Sequence, residues 1–158
     1  MTAKLRYEDV QELYQNHGAA LLAYASALLG DRSAAEDALQ QVFLKLLSGR
    51  VPAPAQARPY LFRAVRNTAL NSHRARARIV PLDDQQWLAR PAGMIDAGVE
   101  VEKAMRALPQ EQREVVVMRV WGEMTLEEIA TVLDVPANTV ASRYRYALDK
   151  LREILKDT

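Results

Sequence analysis

The chain has 158 residues, of which 49% are hydrophobic and 26% charged, as in a folded globular protein. Aromatic residues make up only 6%, and six glycines and seven prolines are too few for a barrel or sandwich of many short strands. The absence of cysteine excludes disulfides, thiolate zinc sites and thiol nucleophiles. No apolar run reaches membrane-spanning length, so we expect a cytoplasmic protein with no membrane insertion.

The formal net charge of +1 conceals an uneven distribution of charge along the chain. Residues 1–80 carry 11 basic against 6 acidic side chains. Six of these arginines lie between Arg58 and Arg78, where there is no acidic residue. Such a concentration on one segment is typical of a protein that binds a polyanion.

Two helices are predicted at the start of the chain. From about Tyr7 to Leu29 apolar residues recur at helical spacing, and Gly30 can end this helix in the left-handed conformation. Ser33 and Glu36 fit a capping box that would open the second helix. Gly49 would end it.

A third helix and a domain boundary are predicted next. Prolines in 50–58 indicate a loop, and Pro59 suits the first turn of a helix that runs to about Arg76. Residues 79–98 combine Pro, Gly and an acidic pair without periodicity, which indicates a linker. We therefore predict a first domain at 5–78 and a second at 99–156.

The second domain is predicted to begin with two helices. Apolar residues from Val101 to Leu108 have helical spacing, and Pro109 would start another helix through Trp121 that Gly122 stops. The run of three valines at 115–117 could also indicate a strand, but its flanks and length favour a buried helix.

A helix-turn-helix is predicted from Thr125 onwards. Thr125 and Glu128 fit a capping box for a short helix. A brief connection at 134–135 leads to Pro136 and a long amphipathic helix. Short helix, tight turn and longer helix are the elements of this DNA-binding motif.

The third helix carries a stripe of cationic and amide side chains. At 100° per residue its members fall within an arc of about 80°: Arg63, Asn67, Asn71, Arg74 and Arg78. Guanidinium groups pair with phosphates, and an asparagine amide can read a base edge. A solvated helix face is the plain alternative, but such faces normally mix charges of both signs. The stripe therefore favours nucleic-acid binding.

The last helix is predicted to present a second polar face, opposite its apolar stripe. In a helix-turn-helix the first half of this helix enters the major groove. The residues predicted to face the base edges are Asn138, Thr139, Ser142, Arg143, Arg145 and Tyr146. A helix pair that packs only for stability has the same spacing, so the pattern alone leaves both interpretations open.

Enzyme chemistry has little support in the sequence. The two histidines, His17 and His73, lie far apart and have no partners at metal-ligand spacing. No phosphate-binding glycine loop or nucleophile elbow is present. We therefore predict no catalytic residue, no metal site and no cofactor.

Several segments, in this order, resemble bacterial sigma factors. AAEDALQQVFL at 34–44 resembles the helix that binds core RNA polymerase, and YLFRAVRNTALN at 60–71 resembles the promoter-melting helix. LPQEQREV at 108–115, TLEEIA at 125–130 and PANTVASR at 136–143 resemble the second sigma domain. The set is similar to the extracytoplasmic-function (ECF) group of sigma-70-like factors, which retains these two domains.

The resemblance implies an all-α fold, a three-helix sigma-2-like domain joined by a linker to a four-helix sigma-4-like domain. It implies a transcription initiation factor that gives core RNA polymerase its promoter specificity, with no catalytic activity and an anti-sigma factor as a regulator. The polymerase contacts implied are Asp37, Gln40, Gln41, Phe43 and Leu44. The stripe on the third helix would bind and melt the minus-ten element of promoter DNA, and the last helix would read the minus-35 element.

This sequence departs from the family pattern at three positions. Gln41 replaces the usual acid, while Ala141 and Tyr146 replace residues that are often basic. The loop at 50–58 also lacks an aromatic side chain that could stack on an unpaired base. Two alternatives remain: a free-standing helix-turn-helix regulator of duplex DNA, and a helical adaptor that binds only protein.

Overall fold

The computed structural model describes residues 4–79 and 98–156, and these ranges form an all-α fold, as predicted. Within them the only extended pairing is an isolated bridge between Lys4 and Pro52. Of the predicted linker, 80–97 lie outside the described residues. The helices are α1 (Tyr7–Leu29), α2 (Arg32–Leu47), α3 (Ala57–Ile79), α4 (Val99–Ala107), α5 (Gln110–Val120), α6 (Leu126–Leu133) and α7 (Ala137–Lys156).

Helices α1, α2 and α3 pack on one another around a shared apolar interior. Gly30 ends α1 with φ of 68°, the left-handed conformation expected of it. The predicted Ser33–Glu36 capping box is wrong. Asp31 is the N-cap and accepts from the Ser33 backbone N–H at 3.0 Å, so Glu36 is free to bond Arg32 one turn earlier.

Helix α3 begins at Ala57, two residues before the predicted start. Pro59 therefore lies in the first turn, where its missing N–H removes no intrahelical hydrogen bond.

Helices α4 to α7 form the second half of the molecule. The capping box predicted at the start of α6 is confirmed, because the side chains of Thr125 and Glu128 each accept from the backbone N–H of the other at 3.1 Å. Asp134 ends α6 at φ of 56°, and α7 starts three residues later.

The three valines at 115–117 of α5 are helical and buried, so the strand alternative is wrong. Burial on nearly all sides explains why this segment shows no helical stripe.

The two halves pack directly against each other and share one apolar core. Helix α5 lies on α1, and α6 lies on α3. The Phe62 ring of α3 is fully buried between the halves, 5.4 Å from the Tyr24 ring and beside Gly122 at the α5–α6 turn. Within the described residues no helix is both long and apolar enough to cross a membrane.

Gly122 and Gly18 are expected to respond oppositely to alanine. A Cβ at Gly122 would lie 2.6 Å from the Met118 carbonyl oxygen and 3.1 Å from the Phe62 ring, so Gly122→Ala should destabilise the protein by about 1–3 kcal/mol. A Cβ at Gly18, inside α1, would meet only the Tyr14 ring at 3.7 Å. Gly18→Ala should stabilise by about 0.5–1 kcal/mol because it lowers the entropy of the unfolded chain. Thermal unfolding of both variants measures the difference; a stable Gly122→Ala would contradict this packing.

Candidate nucleic-acid and partner interfaces

Asn67, Asn71 and Arg63 are exposed on α3 and border one cleft between α2 and α3. The cleft has a volume of about 440 Å³. It is lined by Gln41, Val42, Lys45, Tyr60, Arg63, Ala64, Asn67, Thr68 and Asn71. The predicted stripe thus lies beside a concave space that can hold a flat polar group such as a base.

The exposure of the stripe follows from what α3 buries. Leu61, Phe62, Val65 and Ala69 are fully buried on the opposite side of the helix. With 3.6 residues per turn, this apolar side turns the amides towards solvent. The backbone places Arg74 and Arg78 further along α3, but their side chains lie outside those described.

Three cleft residues extend the site beyond the predicted stripe. Tyr60 of α3 brings an aromatic ring, the group found missing from the loop at 50–58. Lys45 and Gln41 of α2 bring a cation and an amide to the opposite wall. The signal for Tyr60 was in the sequence, since it precedes Ala64, Asn67 and Asn71 at helical spacings of four, seven and eleven residues. The lining by α2 depends on how two helices pack, which spacing does not show.

Helix α7 presents the polar face that the sequence predicts. Val140 and Ala147 are buried, while Asn138, Arg145 and Tyr146 are exposed on the other side. The Arg145 guanidinium lies 5.3 Å from the centre of the Tyr146 ring, within cation–π range.

The remaining predicted residues of α7 are half-buried: Thr139, Ser142 and Arg143. Arg143 lies 3.7 Å from the carboxylate of Glu111 on α5. Because Glu111 is largely exposed, this pair is weak and leaves the arginine available to another anion.

A separate apolar groove runs between α1 and α2, with a volume of about 520 Å³. Leu44, Tyr14 and Leu47 border it, and their exposures of 64%, 54% and 45% are high for apolar side chains. Phe43 forms its floor, because it is only 6% exposed and packs edge-on against Tyr14 at 5.2 Å. This is an apolar anchor site with Arg32, Glu36 and Gln40 at its rim.

The predicted polymerase-binding residues are divided between the two concave surfaces. Gln40, Phe43 and Leu44 line the apolar groove, whereas Gln41 lines the cleft beside α3. Asp37 is exposed one turn earlier and neighbours both Gln40 and Gln41 on the helix surface.

Tyr14 and Leu47 also line the groove but were not predicted as site residues. Tyr14 recurs in α1 at the helical spacing of the apolar residues, which favours a buried position, but the residue is 54% exposed beside the groove.

Two family models match the chain in the order of its two halves. One, described as Sigma-70 region 2, matches residues 13–79, and the other, Sigma-70 region 4, matches residues 104–153.

Curated relatives match almost the whole chain. The ECF RNA polymerase sigma factor SigL of Mycobacterium tuberculosis strain H37Rv is 30% identical over 160 residues, covering 94% of this chain and 89% of the relative. The RNA polymerase sigma-E factor of Streptomyces antibioticus is 32% identical over 158 residues, covering 94% and 85%.

Solved structures share the fold over both halves. The sigma factor RpoE in complex with the anti-sigma factor NepR from Bartonella quintana superposes with a TM-score of 0.76 at 24% identity, covering 94% of this chain and 98% of that one. CnrH in complex with the cytosolic domain of CnrY has a TM-score of 0.68 at 24% identity, covering 96% and 90%.

Proposed function

The chain belongs to the ECF group of sigma-70-like RNA polymerase sigma factors. On that basis we propose which of its surfaces bind core polymerase and which bind each promoter element. The factor directs core RNA polymerase to promoters and acts in transcription initiation. We assign polymerase binding and the minus-ten element to residues 5–78, and the minus-35 element to residues 99–156, with 79–98 as the linker. No observation favours a free-standing regulator, since the relatives match both halves.

The cleft between α2 and α3 is proposed to hold a base extruded from the minus-ten element. Extrusion costs a few kcal/mol of unstacking and unpairing, which new contacts must offset. The amides of Asn67 and Asn71 can read the base edge, and the Tyr60 ring can stack on its face. Arg63 and Lys45 border the same cleft and supply cations for the strand backbone. We include Arg74 and Arg78 in this surface on the register of α3 alone.

The exposed face of α7 is proposed to read the minus-35 element as intact duplex. Asn138 lies in the first turn of the helix, which enters the major groove in this motif. The family often has a basic residue at the position of Tyr146. Here the Arg145 guanidinium lies against the Tyr146 ring and supplies a cation at this position. Thr139, Ser142 and Arg143 flank this line and complete the proposed contact set.

The apolar groove is proposed as the docking site for core polymerase. Exposed leucines around an aromatic floor suit an amphipathic helix of the partner, and Gln40 and Asp37 supply a polar rim. Gln41 borders the other cleft, so we assign it to the DNA strand rather than to polymerase.

Two further proposals concern how the protein is regulated and in which compartment it acts. Both solved relatives are named as complexes, one with an anti-sigma factor. We propose that an anti-sigma factor also sequesters this chain by covering its polymerase and DNA surfaces. We expect the protein to act in the cytoplasm, where polymerase and promoters meet, without a cofactor and without catalysis of its own.

The observation that carries the promoter assignment is the exposed amide and arginine face of α3 at the rim of a cleft. Core polymerase with and without the protein, on a duplex promoter carrying a fluorescent base in the minus-ten element, tests it directly. We expect co-purification with core polymerase and base unstacking only in the ternary mixture. Tight duplex binding without any polymerase association would instead support a free-standing regulator, and polymerase association without DNA affinity would support a protein-only adaptor.

Arg143→Ala is expected to weaken minus-35 recognition selectively. A bidentate contact from Arg143 to a guanine is worth about 1–3 kcal/mol, or roughly 5- to 150-fold in affinity. Binding of holoenzyme to matched promoters with intact or scrambled minus-35 elements measures it. Arg152→Ala, further along α7, removes the same charge and is the control. An equal loss on both promoters would identify Arg143 as a phosphate contact.

A further inference from the structure

Helix α5 carries two acidic residues, and their side chains have different surroundings. Glu114 is 3% exposed, and its Oε1 accepts from the Tyr24 hydroxyl at 2.6 Å and from the Arg66 Nε at 2.8 Å. The side chain of Glu111, one turn earlier, is 71% exposed and lies within ion-pair distance of Arg143 on α7. Glu114 is therefore used in the interior, whereas Glu111 lies at the surface beside the helix proposed to read the minus-35 element.

Arg143 lies on the flank of α7 that faces α5, away from the middle of the exposed polar face. Around the helix axis it is about 40° from the buried Ala147 and about 160° from the exposed Arg145. Its side chain is only 25% exposed, so most of it is covered and its direction is restricted. The groups that α5 presents to this flank therefore influence what the Arg143 guanidinium can bind.

The pair of Glu111 and Arg143 is held by charge and not by a hydrogen bond. The distance of 3.7 Å between Arg143 Nη2 and Glu111 Oε2 is too long for a shared proton. Glu111 therefore uses none of the five N–H donors of the guanidinium, which remain available to a ligand. The carboxylate does offset the positive charge of Arg143. The pair can thus donate hydrogen bonds while attracting anions less than a lone arginine would.

This combination distinguishes a base edge from a phosphate. An arginine beside DNA binds any phosphate within reach, and that contact is equally strong on every sequence. A phosphate that approaches Arg143 is repelled by the Glu111 carboxylate. The edge of a guanine carries no net charge and offers the O6 and N7 acceptors, so it loses less. Specificity is a difference between affinities, and it rises when the contact with the wrong ligand is weakened.

We propose that Glu111 is a positioning residue for Arg143 that increases discrimination between the minus-35 element and other sequences. The inference rests on the proposed function, because that function assigns Arg143 to the minus-35 element. Glu111 acts by disfavouring phosphate at the Arg143 guanidinium and need not contact DNA itself. Because the pair is largely exposed, its effect is several-fold and not of many orders of magnitude.

Binding of holoenzyme to two promoters with intact or scrambled minus-35 elements tests this role. We expect Glu111→Gln to bind the scrambled promoter about two- to fivefold more tightly, the range that an exposed ion pair supports, with little change on the intact promoter. On the scrambled promoter the slope of log K against log salt concentration should steepen by about 0.9, because one more phosphate is neutralised. Glu100→Gln removes an exposed acid from the first turn of α4 and is the matched control, which should change neither quantity.

The Arg143→Ala background separates positioning from direct repulsion of DNA. Because Glu111 acts through Arg143, adding Glu111→Gln to Arg143→Ala should leave the ratio of the two promoter affinities unchanged. A ratio that still fell in this background would mean that Glu111 repels DNA directly, and it would overturn the proposal. An unchanged ratio in the single Glu111→Gln variant would overturn it as well. If native holoenzyme bound both promoters equally, the minus-35 assignment of the proposed function would be wrong instead.

Discussion

Asn67→Ala combined with Asn71→Ala should slow promoter opening at least ~30-fold while the affinity for core polymerase stays unchanged. Both amides are exposed at the cleft beside α3, and neither belongs to the apolar core. Each amide that reads an extruded base is worth about 1–3 kcal/mol, so we expect the pair to supply much of the free energy that offsets unstacking. Stopped-flow fluorescence of a base analogue in the minus-ten element follows opening, and a titration of labelled core polymerase follows binding.

The matched control for this variant lies on α1. Gln15→Ala with Asn16→Ala removes two exposed amides from a different face, and we expect normal opening. If the α3 variant opened promoters at the normal rate, the cleft would be a structural hollow and the minus-ten assignment would fail. If the α3 variant lost polymerase affinity as well, we would conclude that the substitutions disturb the packing of α2 against α3.

Local signals in the sequence account for most of the helix boundaries. Gly30, the Thr125–Glu128 capping box and Pro59 act through the backbone groups of one or two turns, so they can be read without tertiary structure. The error at Ser33 is also local: Asp31 had an equally good capping side chain two residues earlier. Where two polar residues compete for one helix end, spacing alone does not choose between them.

The candidate site could be predicted on single helices but not across them. The arginine and amide stripe needs only the helical period of α3, and the structure finds its described members on one face. The contribution of Gln41 to the same cleft depends on the packing of α2 against α3, which periodicity does not encode. Tyr14 has the helical spacing of the apolar residues of α1, which favours a core position, yet more than half of its surface is exposed.

The contact between the halves was the least predictable feature. Glu114 lies in a helix with polar flanks, and in sequence it is indistinguishable from an exposed acid. Its acceptor role requires Tyr24 and Arg66, which are 90 and 48 residues away along the chain. Long-range polar pairing of this kind leaves no periodic trace. The linker pattern predicted two domains correctly and did not indicate that they pack.

Leu44→Glu should abolish stable association with core polymerase, with at least a ~30-fold loss of affinity, because it places a charge on the apolar border of the groove. Leu44 is 64% exposed, so its replacement removes little from the folded core, and thermal unfolding should change only slightly. A central apolar anchor contributes about 2 kcal/mol or more to such an interface, and a buried unpaired carboxylate adds to the loss.

Val120→Glu is the control for the Leu44 variant, since Val120 is 51% exposed on α5, away from the groove. Size-exclusion co-elution with core polymerase distinguishes the two. Because the apolar groove and the cleft beside α3 lie on opposite flanks of α2, Leu44→Glu should retain whatever affinity the free protein has for single-stranded minus-ten DNA. If the Leu44→Glu variant still bound polymerase, the docking surface would have to lie outside the groove between α1 and α2. Loss of both activities would mean that α2 couples the two sites, so that polymerase binding itself shapes the cleft that takes the extruded base.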